Sequence, residues 1–123
     1  MSESEIKVKA KFPSKKICLE VFDSIDKFID EIILPEHRHL LISDDGSNRL
    51  DIDEWMDITE LENKDDTLTI EVLGTGRMDA QNLLEYLNFC GAEEISGELD
   101  WGGGEGGSIY ELVDGKIITK KEW

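Results

Sequence analysis

Residues 14–33 read SKKICLEVFDSIDKFIDEII. Ile17, Val21, Ile25, Phe28 and Ile32 recur at three- and four-residue spacings, and Cys18, Phe22, Ile25, Ile29 and Ile33 form a second row beside them. Both rows lie on one wide face of a helix, with Lys, Glu and Asp opposite. Ser14 follows Pro13 as a natural N-cap and Leu34-Pro35 is a stop, so the spacing predicts a helix over Ser14–Ile33. A face that wide needs a sheet to cover it.

Strand patterns flank the helix on both sides. Residues 1–5 are polar and read as a frayed end. Ile6–Phe12 alternates Ile6, Val8, Ala10 and Phe12 with three lysines, which predicts a strand with one face in the core and a basic face in water. After the helix, Leu40-Leu41-Ile42 either docks into the core or adds a short strand, and Ser43–Asn48 is turn chemistry. Within Leu50–Leu61, Glu54 falls in the apolar phase, which predicts a bulge or break there and a firm strand over Trp55–Leu61. Asn63–Asp66 is a hairpin loop, and Thr67–Leu73 returns with Leu68, Ile70 and Val72 inward.

Asp79 then caps a second helix over Ala80–Cys90, and Gly91 stands where a left-handed C-cap belongs. Ile95–Trp101 alternates again, and a glycine loop, Gly102–Gly107, leads to Ile109–Val113. Asp114-Gly115 is a two-residue hairpin turn into Lys116–Lys120. The predicted fold class is therefore α+β: a ferredoxin-like antiparallel sheet, β-α-β-β-α-β, with two helices on one face and an extra C-terminal β-hairpin. A chain of 123 residues with one such pattern reads as a single acidic domain over 1–123.

The charge is unusual in size and in placement. Twenty-nine acids against 13 bases give −16. Residues 1–19 carry five Lys and two Glu, and residues 115–123 carry three Lys and one Glu. The 26 acids and five bases between them put the negative charge on the folded middle of the chain, not on a tail. That field argues against direct contact with nucleic acid or an anionic membrane, and favours a basic protein partner. Cys18 and Cys90 fall at the apolar edges of the two helices and read as buried reduced thiols. With no apolar leader and no long apolar run, the expected compartment is cytoplasmic.

No motif carries chemistry. Gly102, Gly104 and Gly107 match G-x-G-x-x-G, but a β-branched segment follows where a dinucleotide site needs a helix, and Glu105 in the loop repels phosphate. His37 and His39 would share one side of a strand, yet no Cys or third His lies near to complete a metal site. The acidic run Asp44, Asp45, Asp51, Asp53, Glu54 and Asp57 fails the calcium-loop spacing: with Gly46 in the sixth place, the first and twelfth hold Leu41 and Ile52. No catalytic residue, cofactor or metal is therefore expected, and the chain does not read as an enzyme. Trp55 and Trp101 are either core residues or anchors of a binding surface.

The C-terminal half, residues 67–118, has a helix ending near Leu87, a strand Glu94–Trp101, Gly106-Gly107, Tyr110 and the turn Asp114-Gly115-Lys116. This order resembles the ferredoxin-like domain of YubB-type plasmid and phage proteins. Those proteins carry a Trp-Ser-Pro-Pro run before the helix, where this chain has Gly76-Arg77-Met78-Asp79. The resemblance implies a small protein of mobile elements and transfers no site.

The sequence thus leads to a small acidic, non-catalytic inhibitor of the immunity or phage anti-defence type. It would bind the basic surface of a toxin, nuclease or defence enzyme, mimicking the charge of nucleic acid. Asp44, Asp45, Asp51, Asp53, Glu54 and Asp57 would supply the field, and Trp55 or Trp101 an anchor. Two alternatives stand beside it: a homodimeric structural or regulatory module, and a metal-dependent hydrolase using the 44–57 acidic run.

Overall fold

The computed structural model describes residues 3–52, 56–75 and 78–123. Its order is β1 (Glu3–Lys11), α1 (Lys15–Ile29), a 3-10 turn (Pro35–His37), α2 (Arg38–Leu41), β2 (Met56–Lys64), β3 (Thr67–Thr75), α3 (Gln81–Phe89), β4 (Glu94–Asp100), β5 (Gly107–Val113) and β6 (Lys116–Glu122). The fold is α+β, with one six-stranded sheet in the order β2-β3-β1-β4-β5-β6 and every neighbouring pair antiparallel. Beyond the two expected helices there is a third, α2, a single turn that buries Leu41. Docking therefore wins over a short strand for Leu40-Leu41-Ile42, although Ile42 still makes an isolated bridge to Asn48.

Alternation puts Ile6, Val8 and Ala10 of β1, Leu68, Ile70 and Val72 of β3, and Ile95 and Leu99 of β4 in one core. Cys18, Val21 and Ile25 of α1 and Leu83, Leu84 and Leu87 of α3 cover them. Gly97 sits on the inward side of β4, where a Cβ would stand 3.0 Å from Leu84 Cδ2. The missing side chain lets α3 come down close to the sheet. The first strand starts earlier than its alternation suggests, because β3 runs on to Thr75 and pairs with Glu3. The register shift in β2 lies between Ile58 and Glu60, and the bulge expected at Glu54 falls outside the described residues.

The organising helix is shorter than its periodicity predicts. It opens as read, with Ser14 Oγ accepting from Ile17 N at 3.2 Å. It ends at Ile29, four residues before Ile33. Glu31 adopts φ +60°, Glu31 N donates to Phe28 O at 2.9 Å, and Ile32 N donates to Lys27 O at 2.9 Å. These bonds form a Schellman stop with glutamate at the left-handed position. The stop of α3 has the same form, with Gly91 at φ +99° and Ala92 N donating to Leu87 O at 3.2 Å, and its glycine made it visible in the sequence. At α1 the apolar period continues through Ile32 and Ile33, so nothing in the residue types marks the end.

The glycine loop joins β4 to β5 as a hairpin connection, with Trp101 N donating to Gly106 O at 3.0 Å. Beyond it, Trp123 closes the sheet by exchanging backbone hydrogen bonds with Gly107 at 3.0 and 3.1 Å. A Cβ on Gly107 would lie 2.7 Å from the Trp123 ring and 2.2 Å from Leu99 O, so only glycine fits there. Asp114-Gly115 forms the expected two-residue turn, both residues at positive φ.

A left-handed non-glycine residue costs about 1–2 kcal/mol, and glycine returns part of that as chain entropy, roughly 0.5–1 kcal/mol. Glu31→Gly is therefore expected to stabilise the protein by about 0.5–1 kcal/mol, read as a higher urea midpoint at unchanged slope. A lower midpoint would show that Glu31 is unstrained.

Candidate functional site

Asp44 and Asp45 lie in the turn that follows α2. Ser43 N donates to Ser47 O at 2.9 Å and Gly46 N to Ser43 O at 2.9 Å. Asp45 Oδ1 gathers Ser47 N at 2.9 Å, Ser47 Oγ at 2.6 Å and the Ser43 hydroxyl. Those donors, Ser43 first, hold the Asp45 carboxyl well below the usual carboxylate range. Asp45 therefore builds its own loop, while Asp44 beside it is exposed.

The other sequence-predicted residues lie apart from this turn. Asp51 is exposed, and its backbone N donates to Asn82 Oδ1 at 2.8 Å, tying the connection to α3. Asp57 is exposed on the edge strand β2, opposite Leu73 of β3. Trp101 is half-buried after β4, with Nε1 donating to Met78 O at 3.1 Å. Its strand is three places from β2 in the sheet, about 14 Å at ordinary strand spacing. Asp53, Glu54 and Trp55 fall outside the described residues. The structure thus spreads the described acids over three elements and places Trp101 away from Asp57. Among the described residues, no three His, Cys, Asp or Glu side chains converge to hold a metal ion. His37 and His39 belong to the 3-10 turn and α2, not to a strand.

A larger acidic field lies on the open face of the sheet. The column Lys7, Lys9, Lys11 of β1 runs down its centre, as the alternation of Ile6–Phe12 requires. Register then puts Glu71 and Glu98 on either side of Lys7, Thr69 and Ser96 on either side of Lys9, and Thr67 and Glu94 on either side of Lys11. Glu60, Glu62 and Glu111 extend the same rows outward, as do Lys64 beyond Thr67 and Lys121 beyond Ile109. Lys7 Nζ lies 3.2 Å from Glu5 and 4.0 Å from Glu71, and Lys11 Nζ lies 3.9 Å from Glu94. The bond to Glu5, then the charges of Glu5 and Glu71, raise the Lys7 ammonium above its ordinary value. The basic face expected for β1 is therefore offset by carboxylates at Lys7 and Lys11, while Lys9 stands between the hydroxyls of Thr69 and Ser96. The residue types carry half of this signal; the register that aligns the rows depends on strand order.

A groove of about 520 Å³ opens between the end of α1 and β2; Phe28, Ile29, Ile33, Ile52, Met56 and Ile58 line it together with Glu31, Asn48 and Asp57, so that its surface is mixed, polar and apolar. Ile29 in it is 44% exposed, and Ile32 close by is 45% exposed. The apolar period of Ser14–Ile33 predicts core positions for both isoleucines; the end of α1 at Ile29 leaves them exposed instead.

Neither thiol is placed to act as a nucleophile. Cys18 Sγ donates to Asn63 Oδ1 at 3.0 Å, and Cys90 lies buried at the end of α3 beside Tyr86. Burial pushes both thiols up, Cys90 to about 12, so the reactive thiolate is suppressed. Tyr86 hydrogen-bonds Ser24 at 3.1 Å, and burial raises its hydroxyl as well. Arg49 stacks on the Phe89 ring at 3.9 Å beside this group. No helix among the described residues is long and apolar enough to cross a membrane. Comparison with protein-family models, curated proteins and solved structures finds no match for the chain.

The raised Cys90 thiol fixes the sign of the alkaline response. The folded state disfavours its ionised form, so its stabilising effect is complete below the unfolded value near 9 and is lost as pH rises toward about 12. Tyr86 adds to the loss above 10. Stability is expected to fall in that window with a slope approaching about 1.4 kcal/mol per pH unit for each group. Cys90→Ala should flatten the fall; urea midpoints measured against pH check it.

Proposed function

We propose that this chain is a small acidic binding protein of the inhibitor type, immunity or phage anti-defence, which covers the basic surface of a partner enzyme and imitates the charge of nucleic acid. What carries the reading is the open sheet face, where Lys7 stands between Glu71 and Glu98 and Lys11 beside Glu94, with Glu60, Glu62 and Glu111 farther out, so that carboxylates outnumber the lysines around the central column. Such a field steers a basic partner and repels competing anions. Asp44, Asp51 and Asp57 add to it from the helix side and the β2 edge, and Asp53 and Glu54 belong to the same acidic run. Trp101 is held to Met78, which suits it better to packing than to anchoring a partner.

We also infer a ferredoxin-like plan for the first four strands. Its support is the order β2-β3-β1-β4 inside the larger sheet, with α1 between β1 and β2, α3 between β3 and β4, and the β5–β6 hairpin added beyond β4. The same plan accords with the proposed likeness to YubB-type proteins.

The steering test uses a partner retained on the immobilised chain at low salt and released at high salt. A fourfold variant, Asp44→Lys, Asp51→Lys, Asp57→Lys and Glu62→Lys, leaves the Asp45 loop intact. Its association rate at low ionic strength should fall about tenfold or more, with a flatter salt dependence. An unchanged rate rejects steering.

The homodimer reading rests on the free edge of β6, where Ile118 and the neighbouring Val113 are 40% and 39% exposed. Lysines on that edge discourage pairing, so sedimentation is expected to give a monomer at high concentration. A dimer there would favour the alternative.

A further inference from the structure

We infer that the groove between the end of α1 and β2 is the anchoring point of the binding surface, and that it takes a basic amphipathic helix of the partner protein. The inference rests on the acidic-binder reading and adds the place and the chemistry of the contact.

The groove joins two features that an amphipathic helix can use: a cluster of apolar side chains and, beside it, carboxylates of one sign with the amide of Asn48. Its volume, about 520 Å³, falls within the usual range of pockets for bound groups. Phe28, Ile33, Met56 and Ile58 of the floor rest on the core, which holds their side chains in place. Ile29 stays exposed at the lip.

The rim is acidic. Glu31 and Asp57 are its charged lining residues, Asn48 is its neutral polar one, and no base lines it among the described residues. The exposed Asp30 precedes Glu31 at the helix end; Lys27 in the last turn is the nearest base in sequence. A neutral apolar segment would leave those carboxylates partly desolvated and unpaired, and an acidic one would be repelled. A segment with leucine-like side chains on one face and Lys or Arg beside them satisfies both floor and rim.

Glu31 supplies an independent pointer. It holds the left-handed position that glycine would fill with less strain, at φ +60°. Strain of this kind collects where a side chain is wanted for something other than stability. Here the side chain that glycine would remove is a rim charge.

The test uses two synthetic probes of about 16 residues: a Leu/Lys peptide with leucines at helical spacing, and an oligolysine of equal charge. Methyl resonances of Ile29, Ile33 and Met56 are followed at about 0.15 M ionic strength. The amphipathic peptide should shift those methyls and bind about tenfold tighter than oligolysine. Ile29→Ser should lower its affinity about tenfold and leave oligolysine binding unchanged. Glu31→Gly should weaken the same peptide about threefold while raising the urea midpoint, a split that a purely structural role would not produce. If both probes bind equally and the methyls stay still, the groove is not the anchor, although the acidic-binder reading survives. If neither binds, both readings fail. If the methyls shift with protein concentration alone, the occupant is a second copy of the chain and the inference is overturned.

Discussion

The double pairing of β1 constrains the rest of the molecule. It is bonded to β3 on one side and to β4 on the other, so it joins the hairpin β2–β3 to the strands that follow α3. Its inward residues Ile6, Val8 and Ala10 lie beneath α1 and α3. Its outward lysines cannot avoid two neighbours each, and those neighbours are glutamate or hydroxyl side chains. A lysine column alone would repel itself along the strand; the carboxylates beside Lys7 and Lys11 in the adjoining strands offset that repulsion. One strand thereby sets both the core and the electrostatic character of the open face.

The two main helices end by one hydrogen-bond pattern and differ in the residue at its left-handed position. At α3 that residue is Gly91, and the chain turns without strain into β4. At α1 it is Glu31, and the residues past it keep the helix's apolar spacing while leaving the helix. Exposed Ile29 and half-buried Phe28 consequently stand side by side above β2. The charge follows a similar logic: acids that are scattered in sequence become rows once the strands are in register, whereas the described acids of the densest run, Asp44, Asp45, Asp51 and Asp57, are divided among a turn, a connection and an edge strand.

Much of this was legible in the residues. The Ser14 cap, the Gly91 stop, the Asp114-Gly115 turn and the alternation of β1, β3 and β4 depend on local sterics and on periods of 3.6 and 2, which the chain carries in itself. The early end of α1 was not legible, because a strained left-handed glutamate has no sequence signature and the apolar period runs past it. The shift at Ile58–Glu60 was displaced from the expected place because alternation alone does not locate an extra residue. Trp101 was open between core and surface, and its bond to Met78 became visible only once the end of β4 met the entry to α3.

Most of the elements, the α+β class and the sign of the charge were legible from residues close along the chain, though the stop of α1 and the single turn of α2 were not. Which acids face one another, that carboxylates stand beside Lys7 and Lys11, and that a groove opens beside β2 were settled by the tertiary arrangement. Those depend on strand order and register, which bring together residues far apart in the chain and which no local pattern encodes.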